Sequence, residues 1–257
     1  MVTYLDRILE RHRALAADET RSLDALLEQA HQMEPTRGFR EALAQNTTLG
    51  VISEIKRRSP SKGDLKPDLD PALMAKVYEA GGATCLSVLT DEEFFGGSVS
   101  DLQAARNAGS LPVLRKDFTV SPFDVVDTRL MGADCVLLIA SAMRTCMLAD
   151  LHALALELGL DVLVEVHDEI ELEVALKAEA TMIGVNQRDL FTFEVDHRRA
   201  VRMAKVIPEH VVRIAESGVR GPDDARMLRD AGYHAILVGE TLVTAADPRS
   251  TLTELRQ

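Results

Sequence analysis

From about Leu49 onward the chain alternates short apolar runs rich in Val, Ile and Leu with longer amphipathic stretches. Eight runs of the first kind occur: GVISEIK from Gly50, TCLSVL from Thr84, LPVLRKDF from Leu111, CVLLIA from Cys135, DVLVEV from Asp161, TMIGVN from Thr181, VVRIAES from Val211 and AILVGE from Ala235. Runs of this length and composition fit strands buried on both faces, and the stretches between them fit helices covering a parallel sheet. Proline near a first helical turn predicts helices over Ala72 to Ala80, Phe123 to Leu130 and Asp223 to Ala231. Gly81-Gly82, Gly109, Gly132 and Gly232 stand where left-handed C-terminal caps are expected. Eight β-α units in series close most naturally into a (β/α)8 barrel, a TIM barrel of class α/β, with residues 1–257 as one domain.

Residues 1–45 precede the first strand and read as a helical extension, with Leu5, Ile8 and Leu9 on one stripe and Leu23, Leu26 and Leu27 on another. The expected role is packing over the barrel base combined with part of a lid.

Composition narrows the partners. A chain of 257 residues with 46% hydrophobic content can bury one large core. A net charge of −12 and a pI near 5.1 argue against nucleic acid and anionic membranes, which reward clustered positive charge. An anionic substrate would have to be held by a few local Lys and Arg against a repulsive far field. Cys85, Cys135 and Cys146 are odd in number and lack a C-x-x-C spacing, so neither a disulfide framework nor a zinc site is expected. No basic-then-apolar leader opens the chain and no apolar run approaches the roughly 18 residues of a membrane span, so a cytoplasmic location is expected.

The chemistry of a barrel gathers at the C-terminal ends of its strands. The two-residue strand period puts Ile52, Glu54 and Lys56 on one face, Leu114, Lys116 and Phe118 on another, then Leu163 with Glu165, Asn186 with Arg188, and Val212, Ile214 with Glu216. A single charge at a strand end usually meets solvent. Three inward glutamates, two lysines and an arginine at one barrel end would be costly to desolvate for packing alone, so the set reads as a site. Ser217 and Gly218 turn out of the seventh strand, and Gly218 with Gly239 stand where barrels present backbone N–H groups to a phosphate. Ser59-Pro60-Ser61-Lys62-Gly63 reads as a flexible basic loop able to cover an anion, against the plainer reading of an ordinary connection.

The first-strand segment ISEIKRRSPSKG closely resembles the signature of indole-3-glycerol-phosphate synthases, and the likeness continues in order through LSVLTDEEFFGGS, LPVLRKDF, DVLVEVH, IGVNQRDL, RIAESGV and LVGETLV. The resemblance implies a carboxy-lyase of tryptophan biosynthesis. Its reaction would be decarboxylating, dehydrating ring closure of 1-(2-carboxyphenylamino)-1-deoxyribulose 5-phosphate, without cofactor or metal. Carried over by position, Lys116 is the catalytic acid, with a pKa expected to fall through partial desolvation and the nearby cation Lys56. Glu165 is the general base, Glu54 a second carboxylate near the anilino nitrogen, and Lys56 a carboxylate or hydroxyl partner. Asn186 and Arg188 orient the substrate, Glu216 and Ser217 meet its hydroxyls, and Phe95, Phe118 and Leu137 wall the aromatic ring. Gly218, Gly239 and Glu240 would hold phosphate, with Lys56 and Ser59 nearby. Gln187 departs from the Asn or small polar residue expected, on the outward side of its strand. The implied partner is a small phosphorylated molecule, and the expected state is a monomer or a weak homo-oligomer.

Two other readings compete. A phosphoribosyl-anthranilate isomerase would want a Cys and Asp pair at strand ends, and Cys135 opens its strand instead. A non-catalytic sugar-phosphate sensor predicts a damaged acid-base set, whereas Glu54, Lys56, Lys116 and Glu165 are all present.

Overall fold

The computed structural model describes residues 3–60, 62–189 and 192–257. Three helices come first, α1 (Tyr4–Ala17), α2 (Leu23–His31) and α3 (Phe39–Ala44). Eight barrel strands follow: β1 (Gly50–Ile55), β2 (Cys85–Leu89), β3 (Val113–Lys116), β4 (Cys135–Ile139), β5 (Asp161–Val166), β6 (Met182–Asn186), β7 (Val212–Glu216) and β8 (Ala235–Val238). Each pairs in parallel with its sequence neighbours, and β8 returns to β1 with Gly50 opposite Ala235 and Ser53 opposite Val238. Among the described residues the sheet is thus a closed (β/α)8 barrel.

The covering helices are α4 (Pro71–Ala80), α5 (Glu92–Phe95), α6 (Val99–Ala108), α7 (Pro122–Leu130), α8 (Thr145–Glu157), α9 (Glu169–Lys177), α10 (Arg199–Met203), α11 (Pro222–Asp230), α12 (Glu240–Val243) and α13 (Pro248–Leu255). The proline-marked helices begin where expected. Asp70 accepts from the N–H groups of Ala72 and Leu73, and Ser121 forms a reciprocal capping box with Asp124. The glycine caps divide. Gly82, Gly132 and Gly232 adopt the left-handed conformation, but Gly81 stays right-handed and Gly109 is extended. Ser110 donates to Glu79 through its backbone N–H and its hydroxyl, and Arg37 donates to the Gly109 carbonyl, so side chains from two other segments draw this junction straight.

Strand alternation sorts two cores. Val51, Ile55, Val136, Val164 and Ile236 face outward under the helices. Ile52, Leu114, Leu163 and Ile214 face inward and meet Phe39 and Leu43 of α3, which close the barrel floor. Two aspartates at the floor fix α3 in place: Asp134 accepts from the Arg37 N–H at 2.8 Å and Asp161 from the Arg40 N–H at 2.8 Å.

The N-terminal extension divides its duties between the base and the mouth. Helix α3 plugs the floor, α2 packs outside against α7, and α1 lies beside the mouth. His12 Nε2 stands 3.1 Å from Asp91 and 3.7 Å from Asp117, Arg13 donates to the Ala142 carbonyl at 2.7 Å, and the Tyr4 ring meets the edges of Phe94 and Phe193. Asp91, Asp117 and Ala142 all follow C-terminal strand ends.

Candidate active site

The C-terminal ends of the strands open into a cavity of about 390 Å³, within the range of small-molecule sites. Glu54, Lys56, Lys116, Glu165, Asn186 and Glu216 line it, as do Ser59, Phe95, Phe118, Leu137, Arg188, Ser217, Gly218, Gly239 and Glu240. Every candidate site residue thus borders one space: the inward face of each strand delivers its last side chain to the same height, and the loops that follow the strands bring the rest.

Lys116 stands at the centre. Its ammonium donates to Glu165 Oε2 at 3.0 Å and lies 3.6 Å from Glu216 Oε2. Asn186 Nδ2 donates to the other Glu165 oxygen at 3.0 Å. Lys56 instead forms its own ion pair with Glu54. The Asn186 side-chain oxygen accepts from the Arg188 N–H at 3.0 Å, and the Arg188 guanidinium donates to the Phe193 carbonyl. Glu216 Oε1 is buried without a hydrogen-bond partner among the described residues.

These contacts set the charges. Burial alone would depress the Lys116 ammonium, but Glu165, Glu216 and Glu54 together outweigh it and raise its pKa. The expected lowering by Lys56 is therefore reversed: Lys56 is engaged by Glu54, while Lys116 is surrounded by carboxylates. Burial pushes Glu165 up, yet Lys116 and His167 more than offset it and hold the carboxyl down at about 2. Glu216 lacks that protection. Burial, reinforced by Glu165 and Glu54, raises it to about 8 despite Lys116. At neutral pH the cavity thus holds one ionised glutamate beside Lys116 and one that keeps its proton, an arrangement in which two like groups take opposite acid-base states.

Two glycines make this packing possible. A Cβ on Gly184, which pairs with Ile214 on the neighbouring strand, would collide with Glu216 Oε1, and a Cβ on Gly239 would collide with Glu54 Oε1 and crowd Lys56 Nζ. At Gly239, where the sequence leads one to expect a phosphate at the N–H, the structure shows room cleared for the Glu54–Lys56 pair. At the same side, Ser217 and Gly218 are both left-handed, with φ of +65° and +74°. A non-glycine residue there is strained, and Gln187 braces it. Gln187 is buried behind the strand, donating its side-chain N–H to the Ser217 carbonyl at 2.8 Å and its backbone N–H to the Glu216 carbonyl at 2.9 Å. The expected flexible loop after β1 is instead a small hairpin pairing Arg58–Ser59 with Gly63–Asp64, anchored by an Arg57–Asp101 ion pair; Ser61 lies outside the described residues. Lys62 from this hairpin reaches Glu240 at 3.4 Å across the mouth.

Some lining residues were not anticipated. Phe193, Val195, His197 and Arg220 come from loops whose course the strand period does not dictate. His167 was legible: it continues the Leu163, Glu165 alternation by one step. Its Nε2 lies 3.7 Å from Glu165 Oε1 and its Nδ1 2.9 Å from Glu171 Oε2.

Comparison with known proteins agrees with this geometry. Residues 5–255 match the family model described as indole-3-glycerol phosphate synthase. Indole-3-glycerol phosphate synthases from Acinetobacter baumannii strains AYE and ACICU are each 46% identical over 256 residues, covering 98% of this chain and 95% of theirs. Among solved structures, the tryptophan synthase α subunit of Legionella pneumophila superposes with a TM-score of 0.62 at 12% identity, covering 87% of this chain and 98% of its own. The thiamine phosphate pyrophosphorylase of Pyrococcus furiosus gives 0.62 at 19% identity, covering 81% and 94%. At such identities these two report the fold.

Proposed function

Because the chain belongs to the indole-3-glycerol phosphate synthase family, its reaction is the decarboxylating, dehydrating closure of 1-(2-carboxyphenylamino)-1-deoxyribulose 5-phosphate to indole-3-glycerol phosphate, and we propose a division of that work among the mouth residues. Lys116 is the acid. As the anilino ring carbon attacks the ketone carbon, the π electrons of the carbonyl move to oxygen, and Lys116 protonates the resulting alkoxide. An alkoxide is a far stronger base than an amine, so even an ammonium of raised pKa gives up its proton there. Glu165 is the base that accepts the proton the substrate loses on the way to indole. Glu54 faces the anilino nitrogen, and Lys56 engages the substrate carboxylate and assists departure of the hydroxyl.

Asn186 and Arg188 orient the substrate, Glu216 and Ser217 meet its hydroxyls, and Phe95, Phe118 and Leu137 wall the aromatic ring. The phosphate lies against the backbone of Gly218, Gly239 and Glu240, with Ser59 beside it. In support, the N–H groups of Gly218 and Gly239 donate to no backbone carbonyl among the described residues. Lys62 and Arg220 also border that end of the cavity and offset the acidic far field. The observation that carries the scheme is the central position of Lys116 between Glu165 and Glu216. We further place the protein in the cytoplasm, a reading supported by its three free cysteines, as a monomer or weak homo-oligomer, and its net charge of −12 disfavours a nucleic-acid partner.

The test exploits a chain without tryptophan. Indole fluorescence should grow when purified protein meets the anilino-deoxyribulose phosphate in the presence of a chelator, and K116A should abolish it while still binding a phosphorylated product analogue. Near-normal turnover by K116A would overturn the acid assignment.

A further inference from the structure

The overall reaction has a proton deficit. A substrate carboxylate leaves as neutral carbon dioxide, so one proton is taken up for each indole made. In detail, one proton goes to the carbonyl oxygen and a second leaves with that oxygen as water, while the substrate returns only one. Lys116 covers the first, and the returned proton lands on Glu165. The remaining proton must come from a group that a bound substrate does not cut off.

We propose that His167, held by Glu171, is the proton reservoir that recharges Lys116 through Glu165. The order of contacts carries this: Lys116 Nζ to Glu165 Oε2 at 3.0 Å, Glu165 Oε1 to His167 Nε2 at 3.7 Å, and His167 Nδ1 to Glu171 Oε2 at 2.9 Å. Glu171 Oε2 also accepts from the His167 backbone N–H at 2.8 Å, so the carboxylate grips ring and main chain together. His167 Nε2 is buried and has no hydrogen-bond partner among the described residues, and it faces the carboxylate it would serve. The 3.7 Å gap is a few tenths of an ångström beyond hydrogen-bond reach, of a kind that commonly tightens when substrate binds.

The step balances. After Lys116 has protonated the alkoxide, the imidazolium passes its Nε2 proton to Glu165, which passes one to the neutral Lys116 amine, and the recharged ammonium protonates the departing hydroxyl; the proton that Glu165 then takes from substrate carbon restores Lys116, so the ring alone ends neutral, with Nδ1–H still donating to Glu171. Nε2 is reloaded from water when product leaves. Four charged or titratable groups face the ring: Glu165 from its own strand, Glu171 from α9, Arg199 from α10 and Glu216 from β7. Burial pulls the imidazole down, Arg199 opposes its charge, and the two glutamates Glu171 and Glu165 outweigh both, so its pKa is raised above 6.5. His167 acts on substrate only through Glu165 and is a positioning and proton-supplying residue rather than a catalytic one.

This inference rests on the acid and base assignments above, and its test separates the two. Glu171 does not border the cavity. E171Q keeps the side-chain shape and removes the charge, so the His167 midpoint, read from imidazole NMR resonances, should move to lower pH, and the alkaline limb of kcat should move with it. H167N should lower kcat about a hundredfold at pH 6, the lower end of general-acid effects, with KM little changed. H167Q should restore none of it, because an amide carries no transferable proton. The proposal is overturned if E171Q leaves the His167 midpoint in place, if it moves the midpoint without moving the activity limb, or if H167N retains kcat. Turnover by K116A would instead sink the underlying acid assignment, whatever E171Q does.

Discussion

Gly184 pairs with Ile214, and the Glu216 side chain, two residues further along β7, folds back over the glycine, whose missing Cβ is what leaves space for the glutamate carboxyl. The raised acidity range of Glu216 depends on this close burial. G184A should push the carboxyl aside and misplace its contact with Lys116. Displacements of about 1 Å in an active site cost up to ~100-fold, so kcat should fall by about tenfold to a hundredfold. Steady-state kinetics of a folded G184A protein check this, and unchanged kcat would show that the neighbouring strand yields instead.

Glu216 also predicts a pH dependence of stability. Its folded value is about 8 against an ordinary 4.5. Between these values the folded chain holds a proton that the unfolded chain has released, so this group lowers stability progressively as pH rises through that window. Below 4.5 both states are protonated and above 8 neither is, so the slope disappears. Gln carries no such proton. The urea midpoint of E216Q should exceed that of the wild type by a margin that widens from pH 4.5 to 8 and then stays level; a constant margin would put the proton elsewhere.

Arg188 should act mainly on binding. Its backbone N–H is fixed by Asn186 and its guanidinium by the Phe193 carbonyl, which orients it toward the cavity without contact to Lys116. A charged hydrogen bond contributes about 1.5–3 kcal/mol. R188A should raise KM at least tenfold and lower kcat less, measured by the same fluorescence assay.

The floor plug predicts a stability loss with no direct role in chemistry. Phe39 is fully buried beneath the barrel interior. F39A should cost about 3–5 kcal/mol by opening a cavity there, read from denaturant midpoints.

His12 predicts a pH-sensitive attachment of α1. Burial pulls its pKa down, but Asp91 and Asp117 outweigh that and raise it. A raised histidine stabilises fully below its unfolded value of 6.5, and the contribution is lost as pH rises through the folded value. Hydrogen-exchange protection of α1 should decline over that range in the wild type and be low throughout in H12A.

The barrel and most of the site were legible because strand period and barrel geometry are local rules with a global result. Knowing that Glu54, Lys116, Glu165 and Glu216 alternate inward is enough to bring them together. Other features depend on neighbours that no sequence period names. The direction of the Lys116 shift follows from how many carboxylates surround it, and the Glu54 pairing of Lys56 could not be read from either strand alone. Gly239 could be marked as a glycine at a strand end, but its clearance of Glu54 requires the register of β8 on β1. Gly109 does stand at the end of its helix, but extended rather than left-handed, because Glu79 and Arg37, distant in sequence, decide its backbone. His167 needed only one more step of the alternation beyond the end of β5.

The attachment of α1 also sets an order of assembly during synthesis. This helix leaves the ribosome before every barrel strand, yet Arg13 must wait for Ala142, 129 residues later, and Tyr4 for Phe193. Chains emerge at about 5–20 residues per second, so α1 spends several seconds without its docking partners. Its Leu5, Ile8 and Leu9 stripe is exposed for that interval, and the half-made chain offers chaperones an apolar handle ahead of the unfinished barrel. The edge of the mouth is completed only after most of the barrel wall exists to receive it.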